Sequence, residues 1–268
     1  MPLHPPGNRR ERLFIYGQPK TGKSTIYVDI AEWIFKTGGS NRVWVGDSDL
    51  AWEAMQPLDG HLNGIVQART LNKWDEYDGW LDEATKKAHP NREDWLVLDM
   101  VDKLYQRAQE AFYRKRFNKD LDEFFLETTD QATISGDFGK NWDVINKLYD
   151  GAVDRIHRFP GHVLVLAPAL EVRLPVERRD GTRDSRFADD ELTRDTFSGV
   201  GWKPNCRPLL PHIFHTVLFI QKSPGGIRLN SVGDRNRRLL TGESIGVVGK
   251  TDPQFVVKYL IGVAGWRP

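Results

Sequence analysis

A chain of 268 residues, 39% of them hydrophobic, is long enough to bury a full α/β core, and one large domain is expected rather than two. Its 38 basic and 37 acidic residues nearly cancel, which removes global charge as an argument for nucleic acid and leaves only a local patch open. The single cysteine, Cys206, excludes an internal disulfide and a cysteine-rich zinc site, and no stretch approaches bilayer-spanning length; together these predict a soluble protein of a reducing cytoplasm.

Residues 1 to 10 read as a flexible lead with solvated Arg9 and Arg10, and residues 11 to 268 as one domain. Leu13-Phe14-Ile15-Tyr16 reads as a short buried strand. Directly after it, Gly17-Gln18-Pro19-Lys20-Thr21-Gly22-Lys23-Ser24 spells G-x-x-x-x-G-K-S, and then Ile26, Ile30, Trp33 and Ile34 recur at helical spacing. Strand, loop and helix in this order are the setting of a phosphate-binding loop. Its glycines let backbone N–H groups curl around an anion, Lys23 reaches the β- and γ-phosphates, and the Ser24 hydroxyl ligates Mg²⁺. The following helix adds its positive end, and Thr25 is counted with the loop among the nucleotide-binding residues. An accidental match in a chain of this length has odds of roughly one in a hundred.

Gly38-Gly39-Ser40-Asn41 turns the chain into a second strand, residues 42–46, which ends in Asp47-Ser48-Asp49. Residues 64–68 are a weaker strand candidate, and a helix follows across Trp74, Tyr77, Trp80 and Leu81 until His89-Pro90-Asn91 breaks it. Trp95-Leu96-Val97-Leu98-Asp99 is a continuous apolar run ending in a carboxylate, as a buried parallel strand would be. Helix is expected from about 103 to 125, interrupted near Asn118, and again around 142–157, before another buried strand at 161–167. From Glu171 to Pro208 the chain is polar and irregular, with eight basic and eight acidic residues, which predicts a functional or mobile insertion. Strand signals return at 216–220 and 226–230; the apolar stretch 255–266 fits strand and helix equally. The alternation predicts an α/β fold with a mainly parallel sheet, whose ligands gather at the carboxyl ends of the strands, where Gly17, Asp49, Asp99 and Ala167 sit.

Asp99 is the carboxylate an apolar strand should deliver near a phosphate-bound metal. Asp102 is its rival, at a position where the first turn of a helix already favours an acidic residue. Asp49, with Asp47 as competitor, is placed to orient or deprotonate water opposite the leaving phosphate; both also suit a plain strand-terminating turn.

The order of the Gly17 to Ser24 loop, the strand ending Asp47-Ser48-Asp49, the strand ending Asp99 and the strand Val163 to Ala167 resembles the RecA-type P-loop NTPase core, over roughly residues 12 to 240. The likeness is greatest to the short phage-encoded, core-only RecA-like ATPases linked to single-strand annealing. In that family an acidic residue, usually glutamate, follows the second strand as D-x-E and activates water, so the resemblance gives this role to Asp49, one methylene shorter. Family members commonly place a polar sensor after the next core strand, whereas Ala167-Pro168-Ala169 stands here. Gly233-Asp234-Arg235-Asn236-Arg237-Arg238 resembles the basic segment that such proteins insert into a neighbour's ATP site. It nominates Arg235 and Arg237 as arginines acting in trans, with a solvated basic hairpin as the alternative. Partition ATPases carry a signature lysine immediately after the first loop glycine; Gln18 occupies that place, which argues against them, and Lys20 is expected to face solvent.

The resemblance implies a Mg²⁺-dependent ATPase acting on DNA in recombination, annealing or replication, in a homo-oligomer in the host cytoplasm. Single-stranded DNA is the implied partner. Arg114-Lys115-Arg116, flanked by Phe112, Tyr113 and Phe117, joins positive charge to aromatic faces that could stack on bases, and equally describes a helix face with buried aromatics. Arg173, Arg178, Arg179, Arg183 and Arg186 lie where RecA-like proteins keep a DNA-binding loop. Two other classes stay open: a small-molecule P-loop kinase with Arg178 to Arg186 as its lid, and an assembly protein that retains nucleotide with little turnover.

Overall fold

The computed structural model describes residues 5, 7, 9–127, 131–177, 183–185, 187–224, 226–235, 238–247 and 255–267, with the side chains of 125–140, 177 and 183 excepted. β1 (Arg12–Gly17) is buried along its whole length, as a continuous apolar run demands when both faces of a sheet are covered. The phosphate-loop sequence follows, and α1 (Thr25–Lys36) then buries Ile26, Tyr27, Ile30, Ala31 and Ile34 along one stripe. Gly38, at φ +69°, lets the chain reverse into β2 (Val43–Asp47). A short α2 (Ala51–Met55), β3 (Val66–Thr70) and α3 (Trp74–Asp82) come next, with α3 widening into a π turn over Glu83–Lys87.

β4 (Trp95–Asp99) leads into α4 (Asp102–Phe117), which stops at Asn118 in the left-handed conformation before α5 (Leu121–Glu127). α6 (Gln131–His157) begins earlier than its sequence pattern suggests, and β5 (His162–Glu171) runs four residues beyond the expected end at Ala167. The polar stretch after it contains regular structure. β6 (Val176–Glu177) pairs with β7 (Arg183–Asp184), α7 (Glu191–Phe197) is capped by the Asp190 carboxylate accepting from Thr193 N, and β8 (Trp202–Pro204) pairs with the extended end of β5. β9 (Thr216–Ser223), β10 (Gly226–Asp234) and an unanticipated β11 (Ser244–Val247) complete the strands. The undecided C-terminal stretch is helical, a π turn over Val256–Ile261.

The main sheet has the order β11-β10-β9-β1-β5-β4-β2-β3. β9, β1, β5, β4, β2 and β3 are parallel, while β10 joins β9 antiparallel and β11 joins β10 antiparallel. This is an α/β fold with a mostly parallel mixed sheet flanked by helices. Alternation divides the core in two: Leu13, Ile15, Val43, Val45 and Val97 pack with α1 and the C-terminal turn, and Phe14, Tyr16, Trp44, Leu96 and Leu98 pack with α3, α4 and α6. Chain order reverses about β1, because β2 to β5 lie on one side of it and β9 to β11 on the other, and a reversal of this kind opens a crevice at the carboxyl ends. Among the described residues no helix is long and apolar enough to cross a membrane.

Candidate functional site

Gly17 ends β1 so close to β9 that a Cβ there would fall 2.3 Å from the Ile220 carbonyl oxygen. Only glycine fits, and the chain can leave the sheet tightly. Lys20 and Gly22 take positive φ, +59° and +80°, and bend the loop back toward α1. The loop's side chains bond its own carbonyls: Lys23 Nζ donates to Gly17 O (3.0 Å) and Gln18 O (2.9 Å), Thr21 Oγ1 to Gln18 O (2.8 Å), and Thr25 Oγ1 to Gly22 O (2.6 Å). Lys23 is buried, which lowers its pKa, and the nearby Asp99, Asp49 and Asp102 carboxylates oppose that shift.

Those carboxylates arrive from other strands. β4 pairs with β2 in register Asp47 to Asp99, so the two strands end side by side. Asp99 is wholly buried, and neither of its oxygens has a fully formed hydrogen bond among the described residues, the Ser24 hydroxyl standing beside it. Burial pushes its pKa up to about 7, with Asp49 and Asp47 adding to the rise and the neighbouring Ser24 hydroxyl and Lys23 ammonium opposing it. One carboxylate oxygen each from Asp47, Asp49 and Asp99 lies within 4.8 Å of the others.

Hydrogen bonding sets Asp47 and Asp49 apart. Asp47 is buried, and its carboxylate accepts from Asp49 N (3.1 Å) and Trp52 N (2.8 Å), tying down the turn between β2 and α2. Asp49 is exposed at the mouth of the cleft, its pKa lifted to about 6 by partial burial and then by Asp47. Asp102 stands in the first turn of α4, half-buried with one oxygen unpartnered, and burial raises its pKa. Sequence reasoning missed Ser48. Its N–H donates to Asp99 O (2.6 Å) and its Oγ accepts from Met100 N (2.9 Å), which stitches the ends of β2 and β4 together. Only the Asp47-to-Asp99 register reveals that clamp.

Lys20, Lys23, Ser24, Asp49, Met100 and Pro168 line an open cleft of about 400 Å³, within the range of small-ligand sites. Pro19, Gly22 and Thr25 complete its loop side. Pro168 stands opposite Gly17 in the sheet, so the wall where a polar sensor was sought is a proline, and Glu171 is exposed at the far end of β5.

Other predicted residues lie elsewhere. Arg235 follows β10 at the amino-terminal end of the parallel strands, the end opposite Lys23, and its guanidinium donates to the His212 carbonyl. Arg237, Arg178, Arg179 and Arg186 lie outside the described residues, as does the side chain of Arg183. Arg173 accompanies the chain past β5, its backbone N–H donating to Asp189 (2.8 Å). Phe112 and Tyr113 are buried and pack with Phe117 and Phe124, while Arg114 pairs with Asp120 at 2.6 Å, so the helix-face alternative holds for that cluster. Cys206 is half-buried and burial raises its thiol pKa. Compared with known proteins, the chain matches no family model and no curated relative.

Proposed function

We propose that the chain binds ATP with Mg²⁺ and hydrolyses it as a RecA-like P-loop ATPase. The observation that carries this reading is the meeting, in one cleft, of Lys23 and Ser24 from the loop after β1 and Asp49 from the end of β2, with the wholly buried Asp99 from the end of β4 placing a carboxylate oxygen within 4.8 Å of one of Asp49. The donor set is all oxygen, a hydroxyl and carboxylates, which suits Mg²⁺ rather than a softer metal. Ser24 and Asp99 would hold the ion, which when bound supplies neutralising charge to the phosphates. A buried carboxylate gains a counter-charge in that arrangement.

The chain's own groups do the rest. Lys23 exchanges the Gly17 and Gln18 carbonyls for phosphate oxygens, and the loop N–H groups at the head of α1 face the same anion. Asp49, lifted toward neutrality, orients water and takes its proton, since a base works best with a pKa near the working pH. Arg235, at the opposite end of the sheet, has no route to its own Lys23, so a catalytic role for it runs through a neighbouring subunit in a homo-oligomer. Action on single-stranded DNA, in recombination, annealing or replication, follows from the resemblance alone. Pro168 in place of a polar sensor favours a second reading, in which nucleotide is retained and turned over slowly.

Lys23→Ala should lower ATP turnover by about 100-fold or more while the far-ultraviolet circular dichroism is unchanged. Full turnover in the folded variant rejects the assignment. Turnover in the parent with and without single-stranded DNA, measured beside oligomer mass, tests the nucleic-acid and assembly parts.

A further inference from the structure

The end of the sheet opposite the nucleotide cleft carries a second polar concavity. Arg9, Arg10, Arg12, His157 and His215 line an open space of about 490 Å³ there. Its residues come from the starts of the parallel strands: Arg12 opens β1, His157 closes α6 ahead of β5, and His215 precedes β9 with its N–H donating to Arg12 O (3.0 Å). Five residues of β1 separate it from Gly17, roughly 16 Å.

Arg12 is built in. It is buried, and its guanidinium donates to the carbonyls of Gly161 (2.6 Å), Phe159 (2.6 Å), Glu11 (3.1 Å) and His157 (3.2 Å). Carbonyl oxygens fix the group without cancelling its charge. Burial and then the neighbouring Arg10 lower its pKa to about 10. Burial foremost, then the charge of Arg12, lowers the pKa of both His157 and His215. The nearby acids are already engaged: Glu11 pairs with Arg238 (3.0 Å) and Arg9 (3.7 Å), and Asp154 pairs with Arg158 (2.9 Å). Arg10 has no acidic partner among the described residues, and the Nδ1 of His215 and one terminal nitrogen of Arg9 are buried without partners. A chain of net charge +1 therefore gathers three guanidinium groups at one place, of which Arg10 has no acidic partner among the described residues.

From this juxtaposition we infer that the cavity binds phosphate groups of a nucleic-acid backbone, without reading base sequence. Planar guanidinium forks match phosphate oxygens in pairs. Among the described residues no aromatic side chain other than the two imidazoles lines the space, so they offer phosphate contacts and no broad stacking platform for bases. The inference is independent of the ATP reading, because no residue of the nucleotide cleft takes part. A free polyphosphate shares the same chemistry and is the other source of such a ligand.

The test uses the full chain without nucleotide. Anisotropy of a labelled oligothymidylate of about twenty nucleotides is measured at low salt, and inorganic pyrophosphate is titrated separately. Arg10→Glu and, separately, His157→Glu change exposed or half-exposed groups outside the core. Each should weaken oligothymidylate binding at least tenfold and flatten its salt dependence, by about 0.7 in log–log slope for each phosphate no longer neutralised. Tight pyrophosphate binding that Arg10→Glu abolishes, with weak oligothymidylate binding, supports the site with free polyphosphate as its source. Unchanged binding of both probes in both variants, or binding of neither probe to the parent, overturns the inference. ATP turnover should be equal in Arg10→Glu and the parent, so a failed nucleotide reading shows up separately as no turnover in either.

Discussion

Asp99 shows what a single residue contributes and what it costs. An unfolded aspartate ionises near pH 3.9, whereas burial holds Asp99 at about 7 in the folded chain. Between those values the folded state binds the extra proton, so stability from this group is present below pH about 4 and is lost as the pH rises through 7. Above 7 the cost is roughly 2–4 kcal/mol at about 1.4 kcal/mol per unit. Asp99→Asn removes the charge and keeps the shape. In the absence of Mg²⁺ and nucleotide it should raise the melting temperature by several degrees at pH 8 and by little at pH 5, while ATP turnover is lost. Equal shifts at both pH values would contradict a buried carboxylate of raised pKa. The carboxylate at the end of an apolar run was legible in sequence. The identity of the groups beside it, the Ser24 hydroxyl and the Lys23 ammonium, was not, because they come from a loop more than seventy residues away in the chain. In the same way, Asp47 and Asp49 are equivalent in sequence until the Trp52 N–H engages one of them.

At the scale of elements, the position of the cleft depends on how α3 lies across β2. Gly46, next to Asp47, faces the Trp80 ring and Leu71: a Cβ there would meet Leu71 Cδ1 at 2.6 Å and Trp80 ring carbons at 2.8 and 2.9 Å. All three residues are buried in a close-packed interior. Gly46→Ala should cost about 1–3 kcal/mol in urea unfolding. The cost should shrink in a Trp80→Phe background, which removes the ring atoms in the way; an undiminished cost would place its origin in the backbone. Strands β1, β2, β4, β5 and β9 were readable because continuous apolar runs survive without knowledge of neighbours. β11 was not, since its Ser244-Ile245-Gly246-Val247 gains meaning only beside Leu229 and Ile227 of β10. Residues 255–266 could not be assigned from periodicity because nearly every position is apolar, and packing of Phe255, Tyr259 and Leu260 against α1 decides for helix.

At the scale of the molecule, Glu11 ties the ends of the chain together. Its wholly buried carboxylate accepts from Arg238 (3.0 Å) and from Trp266 Nε1 (3.2 Å), and its backbone N–H donates to His162 Nδ1 (3.0 Å). Segments around residues 11, 162, 238 and 266 thus share one polar knot. Glu11→Ala leaves Arg238 with Asp234, at 3.8 Å, as its one acidic partner among the described residues, and should destabilise by about 3 kcal/mol or more. Glu11→Gln, which can still accept from Trp266, should cost less. Chemical denaturation of both variants gives the comparison, and an unchanged midpoint for Glu11→Ala would mean the knot adds nothing net. The same arrangement commits the Glu11 carboxylate to Arg238 and Trp266, while the Arg12 guanidinium is held by carbonyl oxygens.

The sequence by itself determined the elements and the loop: apolar runs that must be buried, a helix stripe at 3.6-residue spacing, and glycines where no Cβ fits. These are local requirements, set by neighbours along the chain. Only the tertiary structure decided which carboxylate ties down the turn and which lines the cleft, that Pro168 walls the cleft, and that arginines and histidines from three strand starts crowd one cavity. Charge and hydrogen bonding act across space, and that space is defined by strand order and register rather than by position in the chain.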